Sequence, residues 1–126
     1  MPTSRGGLSS VWVNNKLYAI GGYDGKNFLT TVEIYDPTTN SWTAGPALNY
    51  PRERFVAGAI NKKIYAVAGR GPSNMDIVES LDPSSSSPSW QILDSRINTN
   101  RSSFGGVTYG NRVSRFSRSN RLIFRF

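Results

Sequence analysis

The stretch LYAIGGYDG at residues 17–25 returns as IYAVAGRGP at residues 64–72. A second pair of echoes follows in the same order, VEIYDPTTNSW at 32–42 and VESLDPSSSSPSW at 78–90. Two linked echoes mean that a whole structural unit repeats, and self-similarity at a fixed period of this length is the mark of a repeat architecture. Anchored on Leu17, Ile64 and Val113, the units align backwards without gaps to Arg5, Arg52 and Arg101. Met1, Leu48 and Ile97 stand before those arginines, apolar in each case.

After each arginine comes a short stretch of small and β-branched residues, then a turn, then a basic residue: GGLSSVWVNNK, ERFVAGAINKK and SSFGGVTYGNR. Asn14-Asn15, Asn61-Lys62 and Gly110-Asn111 fit two-residue hairpin turns, because Asn and Gly tolerate the positive φ that such turns require. The next strand, KLYAIGG or KIYAVAG, is short and apolar on both faces, which suits a strand held between layers. A loop follows, then VEIY or IVESL as a third strand. Asp36-Pro37 and Asp82-Pro83 end it, since Pro removes a backbone donor and Asp caps a turn. A fourth strand carries Trp42 or Trp90, and the Ser-rich run at 84–89 reads as a longer turn between strands three and four. No segment shows the 3.6-residue apolar period of a helix. The expectation is an all-β chain of four-stranded antiparallel units.

The linked set of an arginine, a strand, YAIGG, VEIYDP and a tryptophan resembles the kelch repeat. That resemblance implies four-stranded kelch blades and a partial β-propeller, and the unit length fits a propeller blade. It divides the chain into a first blade at 1–47, a second at 48–96, the start of a third repeat at 97–113, and a basic tail at 114–126 outside the pattern. The second copy departs mildly, with Ala68-Gly69 for Gly21-Gly22 and Leu81 for Tyr35. The tail, SRFSRSNRLIFRF, departs more, for it has no glycine, no Asp-Pro and no tryptophan.

Within a blade, Gly21 and Gly22 serve a backbone need, either positive φ or close approach of a neighbour. Trp42 and Trp90 are expected to pack between blades. Glu33 and Glu79 sit inside apolar strands, and an interior carboxylate needs a partner. The repeating Arg5, Arg52 and Arg101 are the candidates for it, with a ligand-facing arginine as the other reading. The loop joining strands two and three lies at the same end of the blade as the loop between blades, and loops on a rigid scaffold carry binding residues. Tyr23, Lys26, Asn27, Tyr50, Arg52, Arg54, Arg70, Asn74, Arg96 and Arg101 are the candidate partner-binding residues of that end. Guanidinium groups match carboxylates, and Tyr offers flat contact area at low entropic cost. Kelch propellers bind proteins through such a face, so the expected partner is a protein or peptide, in the sharpest version an acidic one.

Composition narrows the remaining classes. The chain of 126 residues has no Cys and no His. That removes disulfides, a thiol nucleophile, and the commonest general base and metal ligand. The copper oxidases among kelch-like propellers use His, Tyr and Cys at the metal, so their chemistry does not carry over. No catalytic set, cofactor or metal is expected. The net charge is +7, but Arg112, Arg115, Arg118, Arg121 and Arg125 stand in an acid-free stretch at 112–126. Nucleic-acid binding through that Arg-rich tail is the alternative reading, because neutralised phosphates give salt-dependent affinity. Against it, the tail is short and shares nothing with the repeats. No run reaches the roughly 18 apolar residues of a membrane span and no signal segment is visible, so a cytoplasmic location without membrane is expected. Propellers close with about four to eight blades. This chain reads as a fragment of a larger propeller, with marginal stability alone or with self-association that completes a ring.

Overall fold

The computed structural model describes residues 1–72, 76–96, 106–109, 112–116 and 122–125, with side chains as far as Leu93. Two four-stranded antiparallel sheets and one three-stranded sheet account for them, and no helix occurs among the described residues. The first sheet is β1 (Ser9–Val13), β2 (Lys16–Ile20), β3 (Val32–Asp36) and β4 (Ser41–Ala44), in that spatial order. The second repeats it as β5 (Val56–Ile60), β6 (Lys63–Val67), β7 (Ile77–Leu81) and β8 (Gln91–Arg96). The third orders β11 (Leu122–Arg125), β10 (Arg112–Phe116) and β9 (Gly106–Tyr109). All-β four-stranded blades of a partial propeller are the observed architecture.

The turns follow from residues that accept a left-handed backbone. Val13 pairs with Lys16 and Ile60 with Lys63, leaving two-residue loops. Asn14 and Asn15 have φ of 52° and 60°, and Asn61 and Lys62 have 50° and 63°. Positive φ at both central residues is the geometry that matches the twist of a hairpin. The Gly110-Asn111 turn lies outside the described residues. Asp36 accepts at Oδ1 from the amide and hydroxyl of Thr38, and Asp82 does the same for Ser84. Those Asx turns stop β3 and β7 and send the chain into β4 and β8.

The core lies between the first two sheets. Val11, Val13, Tyr18, Ile20 and Val32 of one pack against Ile64, Ala66, Leu81 and Trp90 of the other, with Leu48 and Phe55 from the connection. Trp90 is buried there and donates its Nε1–H to Pro46 O at 2.9 Å. The expected role between blades therefore holds for Trp90. Trp42 instead is half-buried, with its ring centroid 5.2 Å from that of Tyr35. A smaller cluster of Val67, Ala68 and Val78 forms on the other face of the second sheet. The strand β5 packs against β1 and also against β9 and β10, so the three sheets stand in a row.

Candidate partner-binding face

Each blade is held by one buried arginine. Arg5 donates through Nη1 to Gly21 O and Thr31 O, both at 2.7 Å, and through Nη2 to Ala19 O and Glu33 Oε1. Arg52 repeats the pattern with Ala68 O and Ile77 O at 2.9 Å, Ala66 O, and Glu79 Oε2 at 2.7 Å. The carboxylates complete themselves on backbone amides. Glu79 accepts from Asn49 N and Tyr50 N, and Glu33 from Thr3 N and its hydroxyl. Buried charges need this degree of pairing. Burial lowers the pKa of the Arg52 guanidinium, and the Glu79 carboxylate opposes that shift.

This arrangement settles Arg52 in favour of the interior role. Its relative exposure is 0 %, so the expectation that it also contacts a partner is corrected. Three main-chain carbonyls and one carboxylate occupy the guanidinium, and none of its donors reaches the surface. Arg101 and Asn74 lie outside the described residues. Arg96 ends β8 opposite Ile77, with its side chain outside the described residues.

The remaining loops come together at one end of the sheets, across the joint between blades. Gly22 N donates to Arg52 O, Arg52 N to Leu29 O, and Arg54 N to Gly7 O. Gly6 forms a bridge with Tyr23, and Glu53 the matching bridge with Arg70 in the second blade. Glycine is required at two of these joints. A Cβ on Gly21, which has φ of 63°, would sit 2.6 Å from Arg52 O. One on Gly7, with φ of 64°, would sit 2.7 Å from the Glu53 carboxylate.

On this base stands a mixed aromatic and basic cluster. The rings of Tyr23 and Phe28 are tilted at a centroid distance of 5.2 Å. The Arg70 guanidinium reaches over from the second blade to lie 5.9 Å from the Phe28 centroid. Glu53 Oε1 is 3.6 Å from Arg70 Nη1 and 3.9 Å from Arg54 Nε. Both arginine side chains are about half exposed, at 50 % and 55 %, while the carboxylate between them is nearly buried. Pairs this long in contact with water are worth about 0–1 kcal/mol. Their donors remain available to an incoming acceptor.

Lys26 and Asn27 are exposed at the loop tip, where Asp24 Oδ1 accepts from both their amides. Those amide bonds hold the Asp24 carboxyl below its ordinary pKa. Tyr50 is exposed beside its anchored amide. The structure thus joins Tyr23, Arg54 and Arg70, and puts Lys26 and Asn27 on the same loop as Tyr23. Sequence reasoning left Phe28 and Glu53 out of the candidate set, although they hold the cluster together. Their positions in the loops were visible, but the contact across the blade joint was not. Among the described residues no group of acidic side chains could hold a metal ion, and no helix is long and apolar enough to cross a membrane.

Known proteins are similar to this chain. The family model described as the kelch motif matches residues 4–49. A mouse influenza virus NS1A-binding protein homologue is 36 % identical over 77 residues, which cover 61 % of this chain and 12 % of that protein. A putative F-box/kelch-repeat protein of Arabidopsis thaliana is 32 % identical over 108 residues, 85 % of this chain and 27 % of its own length. Human Kelch-like protein 6 is 38 % identical over 63 residues, half of this chain and 10 % of that protein. The chain spans only about a tenth to a quarter of the length of these relatives.

Proposed function

We propose that this chain, a kelch-repeat protein by its motif and its relatives, is a non-enzymatic module that binds an acidic segment of a partner protein. The observation that carries the reading is the pair of half-exposed guanidiniums, Arg54 and Arg70, set on either side of Glu53 and beside the Tyr23–Phe28 pair. A partner carboxylate replaces loose, water-exposed ion pairs with charge-assisted hydrogen bonds, the stronger class. The aromatic pair supplies flat area for the neighbouring residue of the peptide. A partner protein is also the theme of the mouse relative, whose name describes it as a binding protein. Tyr23, Lys26, Asn27, Tyr50, Arg54 and Arg70 are the contact residues in this reading, with Phe28 beneath Arg70. The chain holds part of a propeller, and the partner meets the loop end of its blades.

Fluorescence anisotropy with Asp- and Glu-rich peptides containing one aromatic residue tests it. Binding is expected to weaken with added salt and to fall at least tenfold in Arg70→Ala, since a hydrogen bond to a charged group contributes roughly 1.5–3 kcal/mol. Equal affinity in Arg70→Ala and Arg54→Ala, or no preference over neutral peptides, overturns the reading.

A further inference from the structure

The turn between β7 and β8 differs from its counterpart in blade one. Blade one spells it DPTTNSW at 36–42 and shuts it with side chains. The Tyr35 hydroxyl donates to Asn40 Oδ1 at 2.6 Å, and the Thr39 and Ser41 hydroxyls share a hydrogen bond of 2.7 Å. Blade two spells it DPSSSSPSW at 82–90, a longer turn in which residues 84–89 are all exposed. Three of its serines are engaged. Ser84 donates through its amide and hydroxyl to Asp82 Oδ1, Ser85 Oγ accepts from the Ser87 amide, and Ser89 Oγ accepts from Gln91 Nε2. Among the described residues the Ser87 hydroxyl has no hydrogen-bond partner. Pro88 follows it, and Ser87-Pro88 is the only Ser-Pro or Thr-Pro pair in the sequence. Ser87 also lines a polar cavity of about 220 Å³ together with Lys63, Ser80, Asp82 and Gln91.

We propose that Ser87 is a phosphorylation site for a proline-directed protein kinase, and that Lys63 holds the resulting phosphate over this cavity. The turn supplies what such an enzyme needs: a free hydroxyl, exposed residues on both sides of it, and proline in the next position. A kinase that encloses that next residue in an apolar pocket strips water from its amide, and proline alone has no amide hydrogen to strand there. In the reaction the γ-phosphoryl group of ATP passes to Ser87. The P–O bond to ADP breaks as the bond to Ser87 Oγ forms, and the hydroxyl proton goes to a base of the kinase. The product carries about −1.5 to −2 charge and three acceptor oxygens. On the cavity wall the Lys63 ammonium, the Ser80 hydroxyl and the Gln91 amide are donors for them. Asp82 is the one carboxylate on that wall, and Ser84 already donates to its Oδ1 twice. Phosphorylation thus turns a cavity of balanced charge, Lys63 against Asp82, into an anionic one and ties the turn to β6. The turn leaves β7 at the end opposite the loop that enters it, so the site stands apart from the acidic-peptide reading.

Incubation of the whole chain with ATP, magnesium and a mitogen-activated protein kinase tests it, read by intact mass and fragment sequencing. The expected product carries a single phosphoryl group, on Ser87. Ser87→Ala is expected to take up none, and Pro88→Ala to react roughly tenfold more slowly, the effect of one enclosed amide left unpaired. Phosphorus NMR of the product then tests the contact with Lys63. The phosphoserine is expected to lose its second proton at a lower pH in the native chain than in Lys63→Ala, since a nearby cation favours the dianion. Lys63 is exposed, so that variant keeps the blade's packing. No label on the folded chain, or label at other residues, overturns the site. Equal titration of the phosphate with and without the lysine overturns its placement over the cavity.

Discussion

Blade one and blade two are built on one plan and differ in how completely it is enclosed. Both clamp an arginine on two loop stems, one strand carbonyl and one carboxylate. In blade two the Arg52 and Glu79 side chains are both 0 % exposed, whereas in blade one Glu33 retains 10 %. Blade two is covered on one face by blade one and packs through β5 against β9 and β10, while the Trp12 face of blade one is open. The lesson is that the blade's internal frame forms without a neighbour on that face, but the burial of its apolar face depends on one.

The largest test of this difference removes the clamp. Arg52→Ala leaves Glu79 as an uncompensated buried charge, a loss of about 3–5 kcal/mol, against a typical total stability of about 5–15 kcal/mol. Arg5→Ala is expected to cost less, about 1–3 kcal/mol, because water reaches Glu33. Urea titration of both variants checks the order, and equal losses would show that enclosure does not separate the two blades.

A smaller effect comes from the residue at the end of the second strand. Gly21 and Ala68 hold the same place, with φ of 63° and 57°. Gly21→Ala combines left-handed strain with a collision against Arg52 O, and about 2–4 kcal/mol of destabilisation is expected. Ala68→Gly relieves about 1–2 kcal/mol of strain. It gives up about 0.8 kcal/mol of methyl burial and about 0.4–1 kcal/mol through the freer unfolded chain. The net is near zero. Thermal melts of the two variants should therefore move by very different amounts.

The smallest effect is one that the blades share. Asp36 and Asp82 titrate below the ordinary 3.8, chiefly through the hydroxyls and then the amides of Thr38 and Ser84. A carboxyl lowered in the folded state adds stability above its unfolded pKa and loses it as pH falls through the folded one. Melting temperature should drop more steeply with acid, below about pH 4, in the native chain than in Asp36→Ala/Asp82→Ala. Parallel curves for the two proteins would remove the turns from the acid response.

Much of the frame is legible in the chain because it depends on residues close to one another in the repeat. The Asn turns need only local φ, the Asp-Pro stops only a local acceptor, and the Arg–Glu pairing recurs at a fixed offset within one unit. The loop face is legible only in part. Arg70 lies over Phe28 and beside Glu53 because two blades meet at one angle, and no spacing in the sequence encodes that meeting. Arg52 shows the same limit from the other side. The repeat offers it as the partner of Glu79 while its place in a loop also suits a ligand contact, and the three carbonyls converging on it decide between the two.

The clamp has one more consequence. Arg5 fastens Gly21 O and Thr31 O, and Arg52 fastens Ala68 O and Ile77 O, which are the two ankles of each long loop. Blade two has one residue fewer between its ankles, yet the guanidinium holds both pairs at hydrogen-bond distance. Each guanidinium thus fixes where its loop leaves the sheet and where it returns. Loops of two lengths therefore start and end on the same four-stranded frame, held in each blade by a single cation.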